Sequence, residues 1–353
     1  MTTPSAPPGI ASLPRLADWL AGNVTHTPTD VTQAVLIAGG RSNLTYRLTV
    51  ATAGDPAQQL VLRRPPLGHV LPTAHDMSRE YRVLTGLSSG TKVPVARPVA
   101  LCTDTEVIGA PFYLMDYVPG QVIRTRDDAK DLSPEQAAGL THELAGMLAA
   151  IHAVDLTATG LSDLGRGSGY LRRQLDRWQR QWQLSMTREL PEYETLVARL
   201  EAGLPAEGET TLVHGDFRID NVLADVHGDQ PKIMAVVDWE MATLGDPLAD
   251  LGLTLVYWAD SADEDWVNPA DAITMPGFGT RAQFAAEYAR QTGRDVSRIG
   301  YYMAFGYFKL AVVLEGINAR YLKHQTVGEN FDREGPAVPI LISRAHQTLD
   351  SLG

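Results

Sequence analysis

The chain has 353 residues, 44% hydrophobic and 20% charged, with a formal net charge of −12. That length allows two domains or one large two-lobed unit with a sizeable core, and the acidic balance argues against nonspecific nucleic-acid binding, which needs a basic footprint. The single cysteine, Cys102, excludes an internal disulfide and reads as a small buried hydrophobe in a reduced compartment. No basic residue precedes Arg15, so a secretory signal is not expected. The longest apolar stretch, Tyr301 to Leu314, is interrupted by Lys309 and falls short of the ~20 residues of a membrane span. It reads as a buried helix, and the chain as cytoplasmic with no membrane contact.

Residues 1–12, with Pro4, Pro7 and Pro8, read as a disordered tail. Leu13, Leu16, Ala17 and Leu20 then recur at helical spacing, with Pro14 in the first turn. Strands are expected over Val31 to Ala38, Leu44 to Val50 and Leu60 to Arg63, divided by the turns Gly39 to Asn43 and Gly54-Asp55-Pro56. A helix from about His75 to Leu87 follows, then strands near Val99 and over Phe112 to Tyr117, before Pro119-Gly120 breaks the chain. Ser133-Pro134-Glu135-Gln136 is a capping box and opens a helix with a stripe of Leu140, Leu144, Met147, Leu148 and Ile151. Further helices are expected from Tyr170 to Trp182, Arg281 to Gln291 and Ile299 to Lys323. Strands dominate up to Val118 and helices afterwards, which implies an α+β fold: a nucleotide-binding N-lobe over 13–118 and a catalytic and substrate-binding C-lobe over 119–353.

The chemistry concentrates between residues 214 and 240. His214-Gly215-Asp216-Phe217-Arg218-Ile219-Asp220-Asn221 is followed, seventeen residues after Asn221, by Asp238 within Val236-Val237-Asp238-Trp239-Glu240. Alone, His-Gly-Asp is an ordinary turn. With an Asn and a second Asp at these offsets it is a variant of the kinase catalytic loop followed by its metal-binding Asp. Phosphoryl transfer needs such a set: Asp216 to accept the proton of the acceptor hydroxyl, Asn221 and Asp238 to hold Mg2+ against nucleotide phosphates. Thr211-Leu212-Val213 and Val236-Val237 are short β-type runs that end at these residues. His214 reads chiefly as a structural member that bonds nearby backbone, with direct acid/base work as the alternative. No Walker A pattern, His-Glu-x-x-His or Gly-x-Ser-x-Gly elbow occurs.

In this form, His-Gly-Asp with Asp-Trp-Glu, the motif resembles that of the aminoglycoside phosphotransferase and choline kinase superfamily, and the likeness runs from about Leu36 to Lys323. It implies a two-lobed protein-kinase-like fold, a small sheet-rich N-lobe, a larger helical C-lobe, and ATP with Mg2+ as cofactors. It further implies that Asp250 braces the catalytic loop; Asp246 matches a downstream acidic position or caps a helix. A basic strand residue should hold the α/β-phosphates and pair with a helix glutamate. Arg63 and Glu80 fill those places, with Arg64 as the competitor on the opposite strand face. An arginine where lysine is usual leaves a non-catalytic nucleotide-binding module as an alternative. Gly39, Gly40, Arg41, Ser42 and Asn43 would form the loop over the phosphates, and Met115, Asp116, Tyr117 and Val118 the hinge whose backbone reads adenine.

For the acceptor, Leu62-Arg63-Arg64-Pro65-Pro66, Leu71-Pro72-Thr73-Ala74-His75 and Tyr170-Leu171-Arg172-Arg173-Gln174 are similar to the kinase-like domain fused to some acyl-CoA dehydrogenases, which implies a hydroxyacyl-CoA. Arg172, Arg173 and Arg177 could meet coenzyme A phosphates, or form a solvated helix face. The rival acceptor is an aminoglycoside, to which the acidic run Asp260, Asp263, Glu264 and Asp265 would be suited.

Overall fold

The computed structural model describes residues 6–37, 43–67, 76–228, 230–259, 270–323 and 334–352. The fold is α+β and divides into two compact units. One is Met1–Pro119 with Met234–Glu240; the other is Gly120–Ile233 with Met241–Gly353.

In the first unit, helix α1 (Leu13–Leu20) begins where the Ser12 side chain accepts a hydrogen bond from the Arg15 N–H, with Pro14 in its first turn. Strands β1 (Thr29–Leu36), β2 (Leu44–Thr52) and β3 (Gln58–Arg64) follow, then helix α2 (Met77–Ser88), strand β4 (Pro98–Cys102), the short helix α3 (Thr105–Ile108) and strand β5 (Phe112–Asp116). The sheet is antiparallel with order β1-β2-β3-β5-β4. The alternation of side chains sorts the sheet into two faces. Tyr46, Leu48, Val50, Leu60, Leu62 and Leu114 join the α1 residues Leu13, Leu16 and Leu20 in one apolar core. Arg63 belongs to the other face, where its partner is Glu80 of α2. Cys102 is buried and free, as a small core residue.

Two expectations need correction. Residues 6–12 are not a disordered tail: Ile10 is buried, Ala11 N–H donates to Ile108 O at 3.1 Å, Tyr46 Oη donates to Pro8 O and Arg64 donates to Gly9 O. The segment turns at Gly9, with φ of +91° and Ile10 N–H donating to Pro7 O at 3.1 Å, and is tied down by side chains of β2 and β3 and by the backbone of α3. Residues 234–240 group with the first unit rather than the second. Spatial neighbours, not chain order, define a unit: Val236 N–H donates to Pro94 O at 2.8 Å and Asn43 bonds Glu240.

The second unit holds α4 (Arg126–Ala129), α5 (Pro134–His152), α6 (Tyr170–Ser185), α7 (Pro191–Ala202), β6 (Thr211–Val213) and β7 (Val222–Asp225). Along β8 (Lys232–Val236) the chain passes into the first unit. It returns before β9 (Thr243–Gly245), α8 (Pro247–Tyr257), α9 (Arg281–Thr292), α10 (Ile299–Leu322) and α11 (Glu334–Asp350). The expected capping box at Ser133 is formed, with Gln136 reciprocating. The core is built from Leu171, Leu175, Trp178 and Trp182 of α6, Tyr193, Leu196 and Leu200 of α7, and the long apolar flanks of α10 and α11. Trp182 stacks on Tyr193 with ring centroids 4.1 Å apart. β6 pairs antiparallel with β9, so the chain leaves β6 at His214 from a paired strand end. Among the described residues no helix is long and apolar enough to cross a membrane.

Helices α8 and α10 approach so closely that only glycine fits at position 252. A Cβ there would lie 2.6 Å from both the carbonyl carbon and oxygen of Tyr302, backbone that cannot swing aside. Gly252→Ala is therefore expected to destabilise the protein by about 1–3 kcal/mol. Urea unfolding should show a lower midpoint with an unchanged slope; a midpoint equal to wild type would refute the close approach.

Candidate functional site

The second unit carries the loop from His214 to Asn221. Gly215 has φ of +83°, and a Cβ on it would lie 2.8 Å from Met241 O, so the motif's central residue must be glycine. Asp250, in the first turn of α8, accepts from two consecutive loop amides: His214 N–H at 2.7 Å on Oδ2 and Gly215 N–H at 2.9 Å on Oδ1. Oδ2 also receives His152 Nε2 at 3.2 Å, and His152 Nδ1 faces Tyr288 Oη at 2.7 Å. Thr254, one turn after Asp250, donates to Phe217 O at 3.1 Å. Asp246 caps α8 by accepting from Leu248 N–H at 2.9 Å and takes a bond from Tyr302 Oη at 3.1 Å. The alternative helix-cap reading of Asp246 is thus what its geometry displays.

Asp216 has a side chain 27% exposed, open enough for a substrate and yet held on several sides. Asn221 Nδ2 donates to its backbone oxygen at 2.8 Å and to its Oδ2 at 3.2 Å. Arg218 Nε lies 3.5 Å from Asp216 Oδ2 and 3.5 Å from Asp220 Oδ1, with its guanidinium 4.7 Å from the centroid of the Tyr257 ring. Tyr257 shares a side-chain hydrogen bond with Asp216; burial, then the Asp216 charge, raises its phenol above the ordinary range. Lys309 of α10 donates to Gly215 O at 2.9 Å. His214 is fully buried and accepts from Asp216 N–H at 3.3 Å, which makes it a brace for the loop rather than a group that meets substrate.

The first unit carries a polar cluster around Arg63. Its Nε donates to Glu80 Oε2 at 3.0 Å, its Nη1 to Thr45 Oγ1 at 3.4 Å and its Nη2 to Asp238 Oδ1; Glu240 Oε2 is 3.7 Å from Nη2. Burial works against the guanidinium's charge, but Glu80, Tyr113, Asp238 and Glu240 together raise its pKa above the ordinary value. Burial pushes the Glu80 carboxyl up, against the pull of Arg63. Arg64 lies on the other strand face and is spent on Gly9 O and Pro65 O. Asp238 adopts φ of +64°, a left-handed conformation that costs a non-glycine residue energy and tends to be kept at functional sites.

The remaining expected residues divide. Asn43 is buried and its amide donates to Glu240 Oε2 at 2.9 Å, which ties it to the Arg63 cluster. Gly40, Arg41 and Ser42 lie outside the described residues, as do Leu71 to His75 and the acidic run Asp260 to Asp265. Asp116 is ion-paired with Arg97 at 2.8 Å, and its N–H donates to Arg97 O at 2.9 Å, so that amide is not free to read adenine. Met115 is a β5 residue, Tyr117 takes Arg47 against its ring at 5.8 Å, and Val118 after it is half-buried. Arg172 pairs with Glu201 at 3.3 Å, Arg173 donates to Arg166 O at 2.5 Å, and Arg177 is exposed against the Trp178 ring at 5.1 Å. The arginine surface is therefore partly spent inside the protein. Sequence reasoning missed Tyr257, Arg218, His152 and Lys309 as members of the site. Arg218 lay inside the motif, and Lys309 was visible as a lone cation in an apolar run.

Among the described residues no three His, Cys, Asp or Glu side chains gather as a metal site. Magnesium does not need one, since phosphates and water complete its shell. In the second unit the Asn221 amide nitrogen is spent on Asp216, which leaves its oxygen as the ligand it can offer; in the first, the Arg63 cluster sets three carboxylates against one guanidinium.

The His152–Asp250 pair sets a pH response. Burial holds the His152 ring below its ordinary pKa despite the Asp250 carboxylate. Burial opposes ionisation of Asp250, but its bonds to His152 and the His214 backbone prevail and lower its pKa. The unfolded chain thus takes up a proton at His152, near pH ~6.5, that the fold refuses. Stability should fall as pH drops through that value, with a slope of at most about 1.4 kcal/mol per pH unit from this residue. Asp250 adds its loss only further down, from the ordinary carboxylate range. Chemical unfolding of wild type and His152→Asn between neutral and mildly acidic pH should give a shallower decline in the variant; equal slopes would refute the assignment.

The profile of the Phosphotransferase enzyme family matches residues 33–297. Acyl-CoA dehydrogenase family member 10 of Mus musculus is 34% identical over 330 residues, covering 91% of this chain and 29% of that protein. The chain spans between 29% and 41% of the length of such curated relatives. A provisionally assigned aminoglycoside phosphotransferase from Ralstonia eutropha JMP134 has a crystal structure with TM-score 0.80 and 30% identity, covering 96% of this chain and 98% of that one. The aminoglycoside phosphotransferase APH(4)-Ia, solved with ADP and hygromycin B, has the same fold at TM-score 0.60 and 16% identity, covering 95% and 98%. A family match through both units, joined to a near-complete structural likeness at 30% identity, places this chain in the phosphotransferase enzyme family.

Proposed function

We propose that this phosphotransferase moves the γ-phosphoryl group of ATP to the hydroxyl of a hydroxyacyl-CoA. The observation that carries the reaction is the state of Asp216: a partly open carboxylate, oriented by Asn221, Arg218 and Tyr257, on a loop whose amides are held by Asp250. The Asp216 carboxylate takes the hydroxyl proton while that oxygen bonds to the γ-phosphorus, and the bond to the ADP oxygen breaks. Asn221 and Asp238 are the proposed magnesium ligands, and Arg63, paired with Glu80, the proposed phosphate contact. Magnesium, when bound, offsets the charge of the phosphates.

The acceptor reading rests on two supports. Likeness to acyl-CoA dehydrogenase family member 10 extends over 91% of this chain. The exposed Arg177, with Arg172 and Arg173 on the same helix, offers cations to coenzyme A phosphates. An aminoglycoside acceptor is the second reading, favoured by the likeness to the Ralstonia eutropha protein.

ADP release should be measured with magnesium-ATP and 4-hydroxyacyl-CoA, kanamycin, choline or a sugar as acceptor. Turnover should rise above buffer with the acyl-CoA. Acceleration by kanamycin alone would replace that substrate with the aminoglycoside, and no acceleration together with no nucleotide binding would overturn the kinase reading. Asp216→Ala should lower kcat about 10²–10⁴-fold with nucleotide binding retained. An unchanged kcat would remove Asp216 from its role as base.

A further inference from the structure

Helix α10 is apolar along most of its length, and Lys309 is its only basic residue before Arg320. An ammonium in such surroundings loses hydration, and a Leu or Met of similar volume would pack there without that loss. Its contacts define what the charge does. Nζ donates to Gly215 O at 2.9 Å and lies 5.8 Å from the centroid of the Trp178 ring on α6. Gly215 O is the carbonyl of the peptide whose nitrogen belongs to Asp216. The N–H of Gly215 is bound to Asp250 on its other side.

We propose that Lys309 is a positioning residue for phosphoryl transfer, clamping the Gly215–Asp216 peptide from the carbonyl side while Asp250 clamps the loop from the amide side. This rests on Asp216 being the base. Two features make the clamp specific. Gly215 sits at φ of +83°, a conformation glycine shares with many others in an unfolded or loosened loop, so an outside restraint is needed to hold it. The restraint is also electrically matched: the cation serves a carbonyl, the anion serves amides, and each is near the other's charge. Burial lowers the Lys309 pKa, while the charges of Asp216 and Asp250 act to keep the ammonium protonated. Without it, the Gly215–Asp216 peptide keeps its N–H bond to His214 Nδ1 at 3.3 Å but loses the restraint on its carbonyl, and the plane that sets the direction of the Asp216 side chain is held from one side only.

The test compares full-length wild type with Lys309→Met and Lys309→Arg. Amide hydrogen exchange of a peptide spanning residues 213–221 should be about tenfold faster in Lys309→Met, with exchange in α10 unchanged. With the acceptor that supports turnover, kcat should fall about 10–100-fold while KM for magnesium-ATP stays level. Lys309→Arg, which keeps a cationic donor, should recover most of both. If Lys309→Met does not fold, Lys309→Arg decides: loop exchange near wild type supports the clamp, and exchange as fast as in a loop released by Asp250→Ala overturns it. Loop exchange in folded Lys309→Met equal to wild type also overturns it. A rise in KM with unchanged kcat would make Lys309 a ligand contact instead. If wild type turns over no acceptor, the phosphotransfer reading fails on its own, and the exchange comparison still decides whether Lys309 holds the loop.

Discussion

The buried carboxylate of Asp250 is the constraint on which the second unit's chemistry depends. A fully desolvated anion is tolerable only if its lone pairs are used. Here they meet two consecutive amides of the catalytic loop and the ring of His152. The partners are arranged so that one side chain converts the rigidity of a helix into the rigidity of a loop. Because α8 is capped by Asp246 and packed against α10 through Gly252, Asp250 has little freedom of its own. Behind it, His152 is steadied by Tyr288, which in turn accepts from Arg294 at 3.2 Å. A glycine at 215 would otherwise make the loop the most mobile part of the motif.

The Arg63 cluster solves the opposite electrostatic problem. There a buried cation is surrounded by carboxylates, and burial pushes the Glu80 carboxyl up while the Arg63 charge pulls it back down. The strand alternation of β3 puts Arg63 on the α2 face, while the same alternation sends Arg64 to the N-terminal segment. Two adjacent arginines thus have unrelated duties, one electrostatic and one in tying residues 6–12 to the sheet. Around Arg63 the carboxylates of Glu80, Asp238 and Glu240 outnumber the one guanidinium.

What could be read from residues alone follows the range of the interactions. The sheet strands, α1 and α5 announce themselves by period and by local caps, because turns and capping boxes are decided within a few residues. Membership of the phosphotransferase enzyme family was legible because the His-Gly-Asp and Asp-Trp-Glu motifs are carried by fixed offsets. Helix α11 was not, since Pro336 and Pro339 interrupt any helical pattern; it is stabilised by packing against α10. Residues 6–12 misled for a similar reason, because their order comes from hydrogen bonds to Tyr46, Arg64 and Ile108, far along the chain. Tyr257 left no signal at all: a tyrosine at a helix end becomes part of the site only when α8 brings it to Asp216. Asn43 likewise has a partner no local pattern could show: its amide donates to Glu240, nearly two hundred residues away in sequence.

The arginine at position 63 bears on whether the nucleotide half can work. A lysine would present one point charge that burial could neutralise, whereas a guanidinium stays charged and bonds in several directions at once. Arg63 uses that geometry fully: Nε for Glu80, Nη2 for Asp238 and Nη1 for Thr45. The pairing that the kinase arrangement asks of a lysine is therefore kept, and the carboxylate at 238 is drawn into the same network. Glu240 Oε2, 3.7 Å from Nη2, adds a further carboxylate to the same guanidinium. A loss of catalytic competence would more naturally show as a broken pair, with Glu80 replaced or turned away. An intact pair built on a permanently charged side chain argues instead that this position has been changed without giving up its electrostatic task.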